Sequence, residues 1–237
     1  MNSSSIKKVL ILVTILAVPG FLYYLLQEKG KNRYKPLPFY GPKVVAKTSH
    51  SYHGKEIPDT LYHVIDDFKL LNQNSDTVSW DSFKGKIIVL NLFYTKGGHF
   101  AVDFANKAIK AFEVSYGKNR MISFVSLSID PENDSPEVLA KYAPILSAKA
   151  GKWDLLTGDS SQVYHLVRNG LYMDALQTTE NGEHKFTYSN QFVLLDPQHR
   201  IRGYYEISRQ EALSKLDDEI KVLITEELRM ITAKDGR

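Results

Sequence analysis

The sequence predicts a mixed α/β domain, one sheet flanked by helices, preceded by a single N-terminal transmembrane helix. Three observations carry this. Val9 to Leu26 is an uncharged apolar run of eighteen residues, long enough to cross a bilayer with little tilt. Lys86–Tyr94 (KIIVLNLFY) and Met121–Ile129 (MISFVSLSI) are near-continuous apolar, β-branched runs of the kind a strand covered on both faces requires. Finally, Asp196-Pro197-Gln198-His199 is a turn sequence set between two further apolar runs, which marks a hairpin.

The chain divides accordingly into an anchor (1–29), an extended tether (30–56) and a compact domain (57–237). Lys7 and Lys8 precede the apolar run and Tyr23 and Tyr24 sit near its end, where an interfacial aromatic belongs. The run is longer than the core of a cleaved signal peptide and no A-x-A site follows it, which favours an uncleaved anchor. A lipoprotein anchor is excluded because the chain has no cysteine. Pro36, Pro38, Gly41, Pro42 and Pro58 make the following stretch extended, with a short hairpin at most.

Within the domain, the first buried strand leads into a loop, TKGGHF, and then to Val102, Ala105, Ile109 and Phe112 at helical spacing, up to Gly117. The second strand precedes a helix capped by Asp134 or Ser135, with Pro136 and Glu137 in its first turn. After an insertion of about forty residues come a strand at 191–195, the turn, a strand at 200–205, and a long amphipathic helix opened by a Ser208/Glu211 capping pair. The first two strands flank a helix and are therefore parallel; the last two are antiparallel. This order is thioredoxin-like.

Composition excludes several functions. The net charge of +3 suggests a nucleic-acid partner only until it is located: residues 1–47 hold eight Lys and Arg against Glu28 alone, which leaves the rest of the chain at −4. No nucleic acid is expected. Without cysteine there is no thiolate nucleophile, CxxC redox centre or thiolate metal site. No G-x-S-x-G elbow is present, Gly97-Gly98 lacks a Walker continuation, and Asp130, Glu132 and Asp134 do not have EF-hand spacing. No enzyme motif is found.

In an open α/β sheet the site lies where a strand's carboxyl end meets the next helix, here Thr95–Asp103. The chain resembles the Sco/SenC family, thioredoxin-like, membrane-tethered copper chaperones that assist cytochrome c oxidase assembly. The resemblance rests on IPD at Ile57–Asp59, Phe93-Tyr94-Thr95, SIDPENDSPEVL at Ser128–Leu139, LLTGD at Leu155–Asp159 and FVLLDPQHRIRGYY at Phe192–Tyr205. It implies a periplasmic (extracytoplasmic) domain, copper as the family's metal, and a respiratory oxidase subunit or copper-assembly protein as partner. It also implies two cysteine ligands and one histidine ligand, at positions held here by Gly97, Ala101 and Tyr188. All three donors are replaced, and with them the dithiol that reductase activity needs. His99, Asp103 and His184 are the substitute ligands to consider for Zn or cupric ion; the preferred reading is that His99 is a solvent-facing loop residue and His184 part of a flexible polar insertion. The favoured expectation is a non-redox assembly or interaction factor with no resident cofactor.

Overall fold

The computed structural model describes residues 3–29, 36–52, 54–97, 99–180 and 183–235, with side chains outside the description in parts of the first helix, at 99–103 and at a few positions elsewhere. The chain forms two compact units, Met1–Lys35 and Pro36–Arg237.

The first unit is helix α1, Ser3–Lys29, with Pro19 inside it. Most of its described apolar side chains are exposed, Ile11 at 59% and Leu16 at 69%. Among the described residues no helix is long and apolar enough to cross a membrane, so the expected transmembrane helix is not upheld there. Val9, Leu10 and Leu26, which complete the apolar run in the sequence, have side chains outside the described set.

The second unit starts with residues that the sequence assigns to a tether. Strands β1 (Lys43–Tyr52) and β2 (Lys55–Tyr62) pair antiparallel around Gly54, whose φ of +74° suits a residue without a Cβ. Both are mostly exposed. Short strands β3 (Leu70–Leu71) and β4 (Thr77–Val78) and a single 3-10 turn at Trp80–Phe83 follow.

The central elements are β5 (Ile87–Phe93), α2 (His99–Tyr116), β6 (Ile122–Ser128), α3 (Pro136–Leu146) and β7 (Trp153–Leu156). Next come α4 (Ser160–His165), which runs on into a π-helical turn at Leu166–Gly170, and a second hairpin of β8 (Ala175–Glu180) and β9 (Glu183–Tyr188). Strands β10 (Gln191–Leu195) and β11 (Ile201–Glu206) and helix α5 (Gln210–Asp235) complete the chain. One five-stranded sheet, in the order β11-β10-β5-β6-β7, organises them. Strands β5, β6 and β7 are parallel, while β10 is antiparallel to both β5 and β11, which is the mixed sheet the sequence predicts, with β7 added inside the apparent insertion.

Every residue of β5 is buried, and their alternation divides the core. Ile87, Val89 and Phe93 pack with Ile109 and Phe112 of α2, Leu139 of α3 and Leu216 and Ile220 of α5. Ile88, Leu90 and Leu92 pack on the opposite face with Phe68, Trp80, Phe83, Val163 and Leu166. Adjacent side chains of a strand point to opposite faces, so one strand seals two layers. A buried polar chain crosses the sheet: Trp153 Nε1 donates to Ser126 Oγ at 3.0 Å, and Ser126 Oγ donates to Asn91 Oδ1 at 2.7 Å.

Of the two expected caps, one forms and one does not. Ser135, one of the two candidates, caps α3, accepting from Val138 N at 3.4 Å. Ser208 donates to Glu206 Oε1 at 2.7 Å and α5 begins only at Gln210, so the Ser208/Glu211 capping pair does not form.

The lead-in at 36–41 is built into the body through Arg202 of β11, which is 2% exposed. Its guanidinium pairs with Asp196 at 3.3 Å and Glu226 at 2.7 Å, donates to Leu37 O at 2.8 Å and Pro38 O at 3.3 Å, and lies over the Phe39 ring. Leu37 N in turn donates to Glu226 Oε1. The compact unit therefore begins well before Ile57. Replacing one member of a buried ion pair leaves the other charge uncompensated, at a cost of roughly 3–5 kcal/mol. Arg202→Leu is expected to lose about that much unfolding free energy in urea titration; a loss below about 1 kcal/mol would show that the pairing is surface-like.

Candidate functional site

The site is assembled from three segments at the carboxyl ends of the parallel strands. The first is the loop after β5, where Gly97 N donates to Tyr94 O at 3.1 Å and turns the chain toward α2. The second is the turn from β6 to α3. Ile129 N donates to Phe93 O at 3.0 Å, Asp134 N to Asp130 O at 2.8 Å, and the Asn133 amide to both Asp130 carboxylate oxygens at 3.0 Å. Lys96 Nζ reaches Asn133 Oδ1 at 3.3 Å.

Asp134 joins these two segments. Its fully buried carboxylate accepts from Thr95 N at 3.0 Å, from Thr95 Oγ1, and from Ser128 Oγ at 2.5 Å. Burial pushes the carboxyl above its ordinary 3.8; the hydrogen bonds from Ser128 and Thr95 oppose that shift and the charge of Asp130 adds to it.

The third segment is the β8–β9 hairpin, whose Phe186 and Tyr188 rings meet the Tyr94 ring at centroid distances of 4.8 and 6.0 Å. Tyr188 is thereby set beside the loop that holds Gly97. Burial, reinforced by Tyr94 and Tyr142, pushes its phenol up to about 12, so near neutral pH Tyr188 presents a neutral hydroxyl and no phenolate.

Comparison with known proteins places this architecture. The sequence model of the SCO1/SenC family matches residues 58–224. The chain belongs to this family. It is 26% identical over 153 residues to the SCO1 protein homolog of Bacillus subtilis, covering 64% of this chain and 78% of that one. Its fold is similar to Arabidopsis thaliana ScoI solved with copper bound (TM-score 0.55, 19% identity, 70% of this chain and 99% of that one). It is also similar to BsSco, a member of the Sco family of cytochrome c oxidase assembly proteins (TM-score 0.56, 22% identity, 68% and 93%).

The Sco resemblance implies three ligand positions, and each has a place in the fold. Gly97 lies in the β5–α2 loop, Ala101 falls in the first turn of α2, and Tyr188 ends β9. Gly and Ala carry no donor atom, and a neutral phenol is a poor ligand for a soft cuprous ion. At the positions the resemblance implies, the residues present do not fit a copper ion.

Of the substitute ligands, the side chains of His99 and Asp103 lie outside the described residues. His184 Nδ1 contacts the Gln177 amide at 2.9 Å, and its Nε2 lies 3.8 Å from Glu132, both side chains being well exposed; such a pair contributes little. Among the described residues no group of three or more His, Cys, Asp or Glu is arranged to hold a metal.

Sequence reasoning missed Thr95, Ser128 and Asp134 as a clamp, and Tyr94 and Phe186 as the packing under Tyr188. Ser128 and Asp134 stand six residues apart at a strand-to-helix turn, which is a local signal. Their third partner, Thr95, is 39 residues from Asp134 and gives none.

The sign of the Asp134 shift fixes a pH effect. A carboxyl whose folded value exceeds its unfolded one contributes stability fully below the unfolded value and loses it as pH rises through the folded one. Relative to Asp134→Asn, the wild-type protein should therefore lose stability as pH climbs from about 4. Denaturation of both proteins between about pH 3 and pH 7 measures this; a constant difference would mean that burial does not tax the carboxylate.

Proposed function

We propose that this chain is a membrane-anchored, extracytoplasmic Sco protein that acts in cytochrome c oxidase assembly through protein contacts, without copper or dithiol chemistry of its own at the family's site. One observation carries the reading. The parts that hold the β5–α2 loop in place are complete, namely the Thr95–Asp134–Ser128 clamp and the Tyr94–Phe186–Tyr188 packing, while the ligand positions on that loop and hairpin carry Gly97, Ala101 and Tyr188. A shaped loop with no soft donor at the three implied ligand positions supports recognition rather than metal transfer. The anchor rests on the apolar run Val9–Leu26. The partner class, an oxidase subunit or another copper-assembly protein, rests on family membership.

Two measurements test the reading. The full chain in detergent, titrated calorimetrically with Cu(II) and Zn(II), should bind neither more tightly than a control protein bearing one surface histidine. Binding that is tighter and is lost in His99→Ala or His184→Ala would transfer the function to the substitute ligands. Affinity capture from solubilised membranes should recover an oxidase subunit or a copper-assembly protein, and deletion of the gene should lower oxidase activity. Capture of neither, with unchanged oxidase activity, would end the assembly reading.

A further inference from the structure

At the end of the sheet opposite the β5–α2 loop, a pocket of about 150 Å³ is lined by Met121, Met230, Glu227 and Gln198, with Pro197 and Ile231 beside them. Met121 immediately precedes β6, so a strand of seven residues, roughly 20 Å, separates this pocket from the turn that holds Asp134. It is independent of the family's ligand positions and of the function proposed above.

Glu227 is 4% exposed, and its Oε1 is buried with no hydrogen-bond partner among the described residues. A buried carboxylate oxygen without a partner requires an explanation in a bound species or a proton. The neighbouring charges are already committed. Arg202 is held by Asp196 and Glu226, and Arg200 by Asp196 at 2.8 Å. Among the described contacts the two guanidinium groups pair with Asp196 and Glu226, and neither forms an ion pair with Glu227. Burial, with the charge of Asp196, raises the carboxyl's hold on a proton; the two arginines and a hydrogen bond from the Gln198 side chain to the carboxyl oppose this.

The chemistry of the lining selects among cations. Two of the chain's four methionines border this one pocket. Thioether sulfur is neutral and polarizable, so it favours a soft ion and leaves the charge to be balanced by the carboxylate. A monovalent ion balances the single charge that Glu227 carries once its proton is displaced. We propose that this pocket is a binding site for a soft monovalent cation, with Met121 and Met230 as thioether donors and Glu227 as the neutralising carboxylate. Binding exchanges the cation for whatever proton Glu227 carries and involves no electron transfer.

Silver(I), which is soft, monovalent and redox-inert, is the probe. The full chain in detergent micelles should bind one Ag(I) in equilibrium dialysis, and X-ray absorption should show sulfur neighbours. Because the chain contains no cysteine, any sulfur found there is methionine. The Met121→Leu/Met230→Leu double variant and Glu227→Gln should each weaken binding roughly tenfold or more, while Tyr188→Phe leaves it unchanged. Glu227→Gln and the wild-type absorption spectrum keep the test decisive if the double variant fails to fold. Any of four results would overturn the proposal: silver bound no better than by a cysteine-free control protein, affinity unchanged in the variants, no sulfur around the silver, or an infrared band of a protonated carboxyl that Glu227→Gln removes and silver does not.

Discussion

The site depends on one buried carboxylate. Asp134 takes hydrogen bonds from Thr95 on the loop after β5 and from Ser128 at the end of β6, and so sets how that loop leaves the sheet before α2 begins. A carboxylate removed from water must be satisfied by donors or become protonated. The donors here sit on two different strand ends, and satisfying the carboxylate fixes the separation of those ends. Whatever the loop presents, it presents in a constrained shape.

The hairpin beside that loop is constrained as well. The β8–β9 hairpin lays Phe186 and Tyr188 against Tyr94, filling with aromatic surface the place where a ligand histidine is implied by resemblance. Aromatic packing contributes to stability and to shape, and it offers a partner surface that needs no metal. At the positions where the resemblance implies copper ligands, glycine, alanine and a neutral phenol offer no soft donor, and the surrounding packing is intact.

A second buried cluster governs the other end of the sheet. Arg202 ties β11 to α5 and to the lead-in at Leu37 and Pro38, so the segment entering the compact unit is part of its packing and not a free tether. The turn between β10 and β11 is built for the same cluster. Asp196 accepts from Gln198 N and Arg200 N at 3.0 Å each, and His199 adopts a left-handed φ of 60° and stacks on Trp80 at 4.3 Å. Aspartate at such a turn satisfies its own backbone while its second oxygen holds both arginines.

The sequence by itself determined the elements whose signal is local. The apolar runs of β5 and β6, the Asp-Pro turn, Pro136 at the start of α3 and the amphipathic α5 all declare themselves within a few residues, because burial on two faces and helix entry each impose a short-range pattern. The absence of cysteine, and hence of thiolate chemistry, was equally plain. Tertiary structure alone decided the rest. Strand β7 is only four residues long, Trp153–Leu156, too short for its period to register, and it is secured by pairing with β6 and by the Trp153–Ser126–Asn91 chain. The Asp134–Thr95 clamp, the Tyr188–Tyr94 contact and the Arg202–Leu37 bond join residues 39, 94 and 165 positions apart. Periodicity reports which face of an element is buried. It carries no information about which distant partner satisfies a buried charge, and at this protein's site that partner decides the geometry.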